Sequence, residues 1–200
     1  SDLLYFADQW VRRTSRTALV SQTIERKAFD KSQIAVEGSP NYYIDVKCIN
    51  DPDGLWLDGY HSVGHIIPNI ESLNNSSITV SFYAKSTNTG YPVNVYFARY
   101  NGTTLISKKV IGTVSPTTSW NKYTINYDVP VLASGSYEND FVEVGFDLEP
   151  TVKNAFDNSI ALGTGLYMSF ASLCVYKGAY LNPKHIFETQ ESKQIGRAHV

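Results

Sequence analysis

The stretch Asp51 to His65 (DPDGLWLDGYHSVGH) carries the side chains best suited to hold a ligand. Sugar rings present apolar faces that stack on aromatic side chains, while their hydroxyls bond to nearby polar groups. Trp56 and Tyr60 supply the rings, Asp58 and His61 the polar partners, with His65 close behind. Gly54 and Gly59 allow sharp turns. The competing expectation is that Trp56, with Leu55 or Leu57, caps the core. A second set comprises Tyr83, Lys85, Tyr96 and Tyr100. Alternation sets Tyr83 opposite Phe82 and Tyr96 opposite Phe97, so these tyrosines are expected to face outward on one sheet as a stacking platform. The alternative is burial beneath a loop or a partner subunit. Asp51, Asp53 and Asp58 form an oxygen-rich, sharply turned group that could hold a structural calcium. The same Asp-Pro-Asp-Gly run also reads as an ordinary turn.

Support for catalysis is thin, and the expectation is that the chain is not an enzyme. A glycosidase needs two carboxyl groups about 5 to 9.5 Å apart. Glu143 and Asp147 share one strand face at about 13 Å and read as a solvated face. No Gly-x-Ser-x-Gly elbow, His-Glu-x-x-His pattern or Gly-rich phosphate loop occurs. His61 and His65, four apart outside a helix, do not read as a metal pair. A net charge of -2 leaves no basic excess for nucleic acid. No apolar run reaches the ~20 residues of a membrane span. Cys48 and Cys174 fall in apolar segments and are expected to be free thiols, with a bridge between two layers as the alternative. Asn74, Asn75 and Asn101 sit in glycosylation sequons that matter only in a secreted eukaryotic protein.

Positioning these residues falls to short strands. Apolar residues make up 42% of the 200, and 14 Tyr and 9 Phe against one Met suit pleated, half-buried surfaces. Ile78 to Ser86 alternates most cleanly, with Ile78, Val80, Phe82 and Ala84 on one side. Pro92 to Tyr100 and Thr104 to Ile111 flank an Asn101-Gly102 turn, and with Ile78 to Ser86 they are expected to form a meander. Tyr42 to Cys48, Trp120 to Val129 and Phe141 to Leu148 alternate as well, and Thr17 to Ile24 does so more weakly. Leu166 to Tyr176 is apolar on both faces, as in a doubly buried strand or one with a bulge. No stretch sustains a helical period. The pattern predicts an all-β, antiparallel two-sheet β-sandwich of jelly-roll type over residues 1–183. Residues 184–194 are expected to be a tail or linker. Residues 195–200 (IGRAHV) look like translated sequencing-adapter read-through. The first residues do not read as a signal peptide, and a chain that does not begin with Met is expected to be a piece of a longer protein.

Four segments carry a family resemblance. Ile78 to Ser86 (ITVSFYAKS) and Thr117 to Pro130 (TTSWNKYTINYDVP) are similar to strands of family-4/9-like carbohydrate-binding modules. Ala171 to Pro183 (ASLCVYKGAYLNP) looks like the closing strand of related modules in bacteriophage tail fibres and tailspikes. Ala7-Asp8-Gln9-Trp10 looks like an element near the start of that group. The resemblance implies a jelly roll, often with a structural calcium, that binds a surface glycan without catalysis. For the phage group it implies a virion tail or other extracellular setting, and a homotrimer formed through a parent fibre. Trimerisation would strengthen a weak single-site affinity for a host saccharide. Two alternatives stay open: a carbohydrate-binding module of a secreted polysaccharide-degrading enzyme, and a structural spacer or trimerisation domain without ligand. The resemblance carries over no ligand-contacting residue. Trp10 and Trp120, which lie in the matching motifs, are expected to be structural.

Overall fold

The computed structural model describes residues 2–7, 10–14, 22–49, 61–68, 70–132, 139–158, 160–161, 164–178 and 186–188. Twelve strands run through them: β1 (Asp2–Ala7), β2 (Trp10–Thr14), β3 (Gln22–Ala28), β4 (Tyr42–Ile49), β5 (His61–Ile67), β6 (Ser77–Ser86), β7 (Val93–Asn101), β8 (Thr104–Val114), β9 (Asn121–Asp128), β10 (Asp140–Asp147), β11 (Gly165–Lys177) and β12 (Ile186–Glu188). One helix, α1, spans Glu149–Asn158. Sheet A has the order β1-β2-β5-β10-β7-β8, and sheet B the order β3-β4-β11-β6-β9 with β12 paired to β11. Every pairing is antiparallel. The fold is the expected two-sheet sandwich of jelly-roll type.

Alternation decides which side chains meet between the layers. Val95, Phe97, Val142, Val144 and Phe146 from sheet A face Ile44, Val46, Val80, Phe82, Met168 and Phe170 from sheet B. Phe146 anchors the contact. Its ring stacks on Phe170 at 3.9 Å between centroids and meets Phe82 edge-on at 4.7 Å. Burying such rings supplies most of the driving force for closing the layers.

The expected meander is corrected in one respect. β7 and β8 do form a hairpin, with Gly102 at φ 55 in the turn. β6, however, pairs with β9 and β11 in the other sheet. The six residues between β6 and β7 are too long for a tight hairpin, and they cross from one layer to the other. Tyr83 therefore lies on a different sheet from Tyr96 and Tyr100.

Besides β1, β2 and β12, for which the alternation gave no strand, β5 and the helix α1 escape it. β5 contains Gly64, two histidines and a serine, so its period is masked. Helix α1 buries only Thr151 and Val152 among its described side chains. Its local signature is a start signal: the Asp147 carboxylate accepts the Glu149 N–H at 3.1 Å, and Pro150 sits in the first turn. In β11 the expected bulge is present. The register shifts between Ala171 and Cys174, with Ser172 at φ 51. Cys48 and Cys174 are thiols rather than a bridge between the layers, and both belong to sheet B. Burial pushes the Cys48 thiol up to about 12. Among the described residues, no helix is long and apolar enough to cross a membrane.

Candidate functional site

The outer face of sheet A carries a polar cluster outside the hydrophobic core. Antiparallel register lines up Val11, Gly64, Gly145 and Tyr96 in one row across β2, β5, β10 and β7. Two facing glycines leave a flat floor. A Cβ on Gly64 would come within 2.5 Å of the Tyr96 hydroxyl, so only glycine lets the tyrosine lie across the sheet. Tyr96 donates its hydroxyl hydrogen to Glu143 Oε1. Arg13 holds the other carboxylate oxygen from Nε at 2.8 Å and Nη2 at 2.7 Å. Glu143 is 0% exposed, so this two-sided clamp compensates its charge. Burial disfavours the Arg13 cation, but the hydrogen bond and charge of Glu143 outweigh that and raise its pKa. Burial, with the Glu143 charge next, raises the Tyr96 pKa well above the ordinary value.

Two cations sit against the rings of this face. The Arg13 guanidinium lies 3.9 Å from the Tyr100 ring centroid, and Lys108 Nζ lies 4.4 Å from that of Tyr96. Phe141 stacks beside Tyr100 at 5.4 Å. Lys108 also reaches Asp147 at 3.4 Å. A second buried pair, Arg99 with Asp140, lies on the opposite, core-facing side of sheet A at the end of β7 and β10, and the Arg99 hydrogen bond holds the Asp140 carboxyl below its usual range.

The expected open platform is thereby corrected. Tyr96 is 1% exposed, Tyr100 6% and Tyr83 7%. Tyr96 and Tyr100 do point outward, but charged side chains of the chain itself lie against their rings. Glu143 and Asp147 are likewise not a solvated face: both are buried on this surface. The sequence showed the carboxylates and the outward tyrosines. Arg13, from a strand with little alternation, was missed, and so was the glycine floor, which becomes visible only once the register aligns Gly64 with Gly145.

Of the loop candidates, Asp51, Asp53, Trp56, Asp58 and Tyr60 lie outside the described residues, and so does the calcium site they would form. His61 is the first residue of β5, an interior strand of sheet A, half-buried, and burial lowers its pKa. His65 faces the core instead, edge-on to Trp10 at 5.2 Å, and burial drives it down to about 4. Trp10 is structural, as expected.

The outer face of sheet B contrasts with this. Phe29, Tyr43 and Trp120 form a three-ring cluster with centroids 4.8 to 5.5 Å apart, so Trp120 packs structurally. Residues 30–41 run beside it, placing buried Val36 in one cluster with Tyr83. Lys122 pairs with Glu37 at 3.1 Å at the rim. Beside this cover, an open cleft of about 340 Å³ is lined by Tyr43, Asp45, Lys85, Thr87, Tyr167 and Ser169, among others. Asp45 accepts hydrogen bonds from Lys27 Nζ at 2.6 Å and Ser169 Oγ at 2.7 Å. Among the described residues, no group of three or more His, Cys, Asp or Glu side chains is placed to hold a metal.

No family model matches this sequence, and no curated protein is similar to it. Similar solved structures exist. A putative sugar binding protein from Bacteroides thetaiotaomicron is 13% identical with a TM-score of 0.51, over 87% of this chain and 90% of that one. The CBM22-1–GH10 modules of a Clostridium thermocellum endo-1,4-β-D-xylanase, complexed with xylohexaose, are 12% identical with a TM-score of 0.50, over 86% of this chain and 27% of that one. A family 11 carbohydrate-binding module from Clostridium thermocellum, complexed with a β-1,3-1,4-mixed-linked tetrasaccharide, is 12% identical with a TM-score of 0.48, over 86% and 92%. At these identities the likeness is one of fold alone, a two-sheet β-sandwich.

Proposed function

We propose that this chain is a non-catalytic glycan-binding module whose site is the outer face of sheet A. The observation that carries the proposal is the cluster of Arg13, Tyr96, Tyr100 and Glu143 on a glycine floor, apart from the core. Buried charges are costly, and here they add nothing to the packing between the sheets. What they provide is a rigid array of hydrogen-bonding groups beside aromatic rings, the two ingredients of saccharide recognition. A sugar ring would replace the Lys108 side chain on the Tyr96 face, exchanging one ring contact for another while Arg13 stays on Glu143. Trp56, Asp58 and Tyr60, which lie outside the described residues, stand as candidate ligand contacts on their residue types alone. The sandwich fold shared with sugar-binding modules supports the same reading.

A neutral glycan panel, read by NMR titration of the whole chain, tests this. Tyr96→Phe should weaken binding of the best neutral oligosaccharide at least tenfold while the chain stays folded. Trp56→Ala should abolish binding and leave thermal unfolding almost unchanged. If Trp56→Ala unfolds the chain, Trp56 is core; if no glycan binds, the module is a spacer. The finer setting, an extracellular fibre or tailspike that meets a host saccharide, is supported by the sequence likeness of residues 7–10 and 171–183. Flanking sequence with a fibre shaft would support it, and an adjoining polysaccharide-degrading domain would replace it.

A further inference from the structure

We infer that the cleft on the outer face of sheet B is a second saccharide site, and that it selects an acidic sugar, one bearing a carboxylate. The cleft is open where the sheet A cluster is closed, and half-buried Tyr43 and Tyr167 contribute to its lining. Its charge is unbalanced. Lys85 lines it, with Nζ 5.1 Å from the Trp120 ring and 5.7 Å from that of Tyr43, and two further lysines, Lys47 and Lys27, stand 5.3 and 5.7 Å from the ring of the lining Tyr167. The single carboxylate lining the cleft, Asp45, is committed to Lys27 and Ser169. Among the described residues, Lys47 and Lys85 have no carboxylate within ion-pair reach.

Chemistry then narrows the ligand. An ammonium held against a ring keeps donors pointing away from the ring, ready for an anion. Two such groups beside stacking rings suit a pyranose whose ring lies on Tyr43 or Tyr167 and whose carboxylate meets Lys85 or Lys47. The cleft volume fits one or two sugar rings in a shallow site.

The test uses the whole chain with tetragalacturonate, tetramannuronate and a hyaluronan tetrasaccharide, each beside its carboxyl-reduced counterpart. At least one acid form should bind, its reduced counterpart at least tenfold more weakly, and affinity should fall as salt rises. Lys85→Gln and Lys47→Gln should each weaken the acid form about tenfold without shifting thermal unfolding. Lys153→Gln, exposed on α1, should change nothing. Equal binding of acid and reduced forms overturns the inference, as does undiminished binding by Lys85→Gln together with Lys47→Gln. Binding of the neutral panel alone, lost in Tyr96→Phe, also overturns it and leaves the glycan-binding function at sheet A standing. Binding of the acids alone does the reverse.

Discussion

The two outer faces of the sandwich draw on the same residue types and reach opposite electrostatic states. Both gather tyrosines, lysines and carboxylates. On sheet A, the register brings Glu143 between Arg13 and Tyr96 over a floor without side chains, so the charges satisfy one another and water is excluded. On sheet B, the corresponding space is partly covered by residues 30–41, and the uncovered remainder keeps Lys47 and Lys85, which have no acidic partner among the described residues, beside a cleft. Glycines account for much of the difference. With room to lie flat, a ring meets a neighbouring carboxylate; on a surface of upright side chains, rings and ammonium groups stand beside one another and leave gaps between them.

Removing the sheet A carboxylate is the harshest way to break this comparison. Glu143→Leu leaves the Arg13 cation without its partner and should cost about 3–5 kcal/mol by urea unfolding. The double variant Arg13→Met with Glu143→Leu should recover most of that loss. A cost below about 1 kcal/mol for the single variant would mean that water reaches the cluster, as it reaches the sheet B cleft.

Acid should act on the sheet A side. The two described histidines both lie on β5. The folded pKa of His65, about 4, is below its ordinary value near 6.5, because burial favours the neutral ring. Its contribution is fully present above about pH 6.5 and is lost as the pH falls toward 4, on the order of 3 kcal/mol. His61 is shifted in the same direction. Unfolding free energy measured across that window should slope, and His65→Leu should flatten most of the slope. An unchanged slope would place the titration elsewhere.

The two faces can also be compared through one kind of substitution. In Gly145→Ala, the new Cβ meets the Val63 carbonyl oxygen and Gly64 Cα, which are backbone atoms that cannot step aside. A loss of roughly 1–3 kcal/mol is expected. In Gly165→Ala, at the start of β11, the nearest atom is Lys47 Cε at 2.9 Å, part of a flexible chain. That variant should stay within about 0.5 kcal/mol of the parent. Equal costs would show that the glycine floor of sheet A is not what closes it.

Much of the sandwich was legible because period-two alternation survives wherever one face of a strand is buried. It exposed β4, β6, β7, β8, β9, β10 and β11, and it failed for β5, where Ser62 and Gly64 face outward and His65 faces the core. The site was legible only in part. Outward Tyr96 and Tyr100 could be read from their own strands. That Arg13 meets Glu143 across 130 positions could not, since long-range register has no local signal. On sheet B, Tyr43, Asp45 and Lys47 alternate in plain view along β4, yet nothing local shows that Tyr167 and Ser169 stand beside them.

The crossing between β6 and β7 has a kinetic consequence. Because neighbouring segments of chain go to different layers, the central pairing of sheet A joins β5 to β10, from opposite halves of the molecule. Hairpins such as β7–β8 can close early, within microseconds. The Arg13–Glu143 clamp must wait for distant strands to find each other, a search on the order of milliseconds to seconds in proteins of this topology. The outer face of sheet A thus belongs to the last part of the molecule to assemble, and until then its carboxylate is exposed to water.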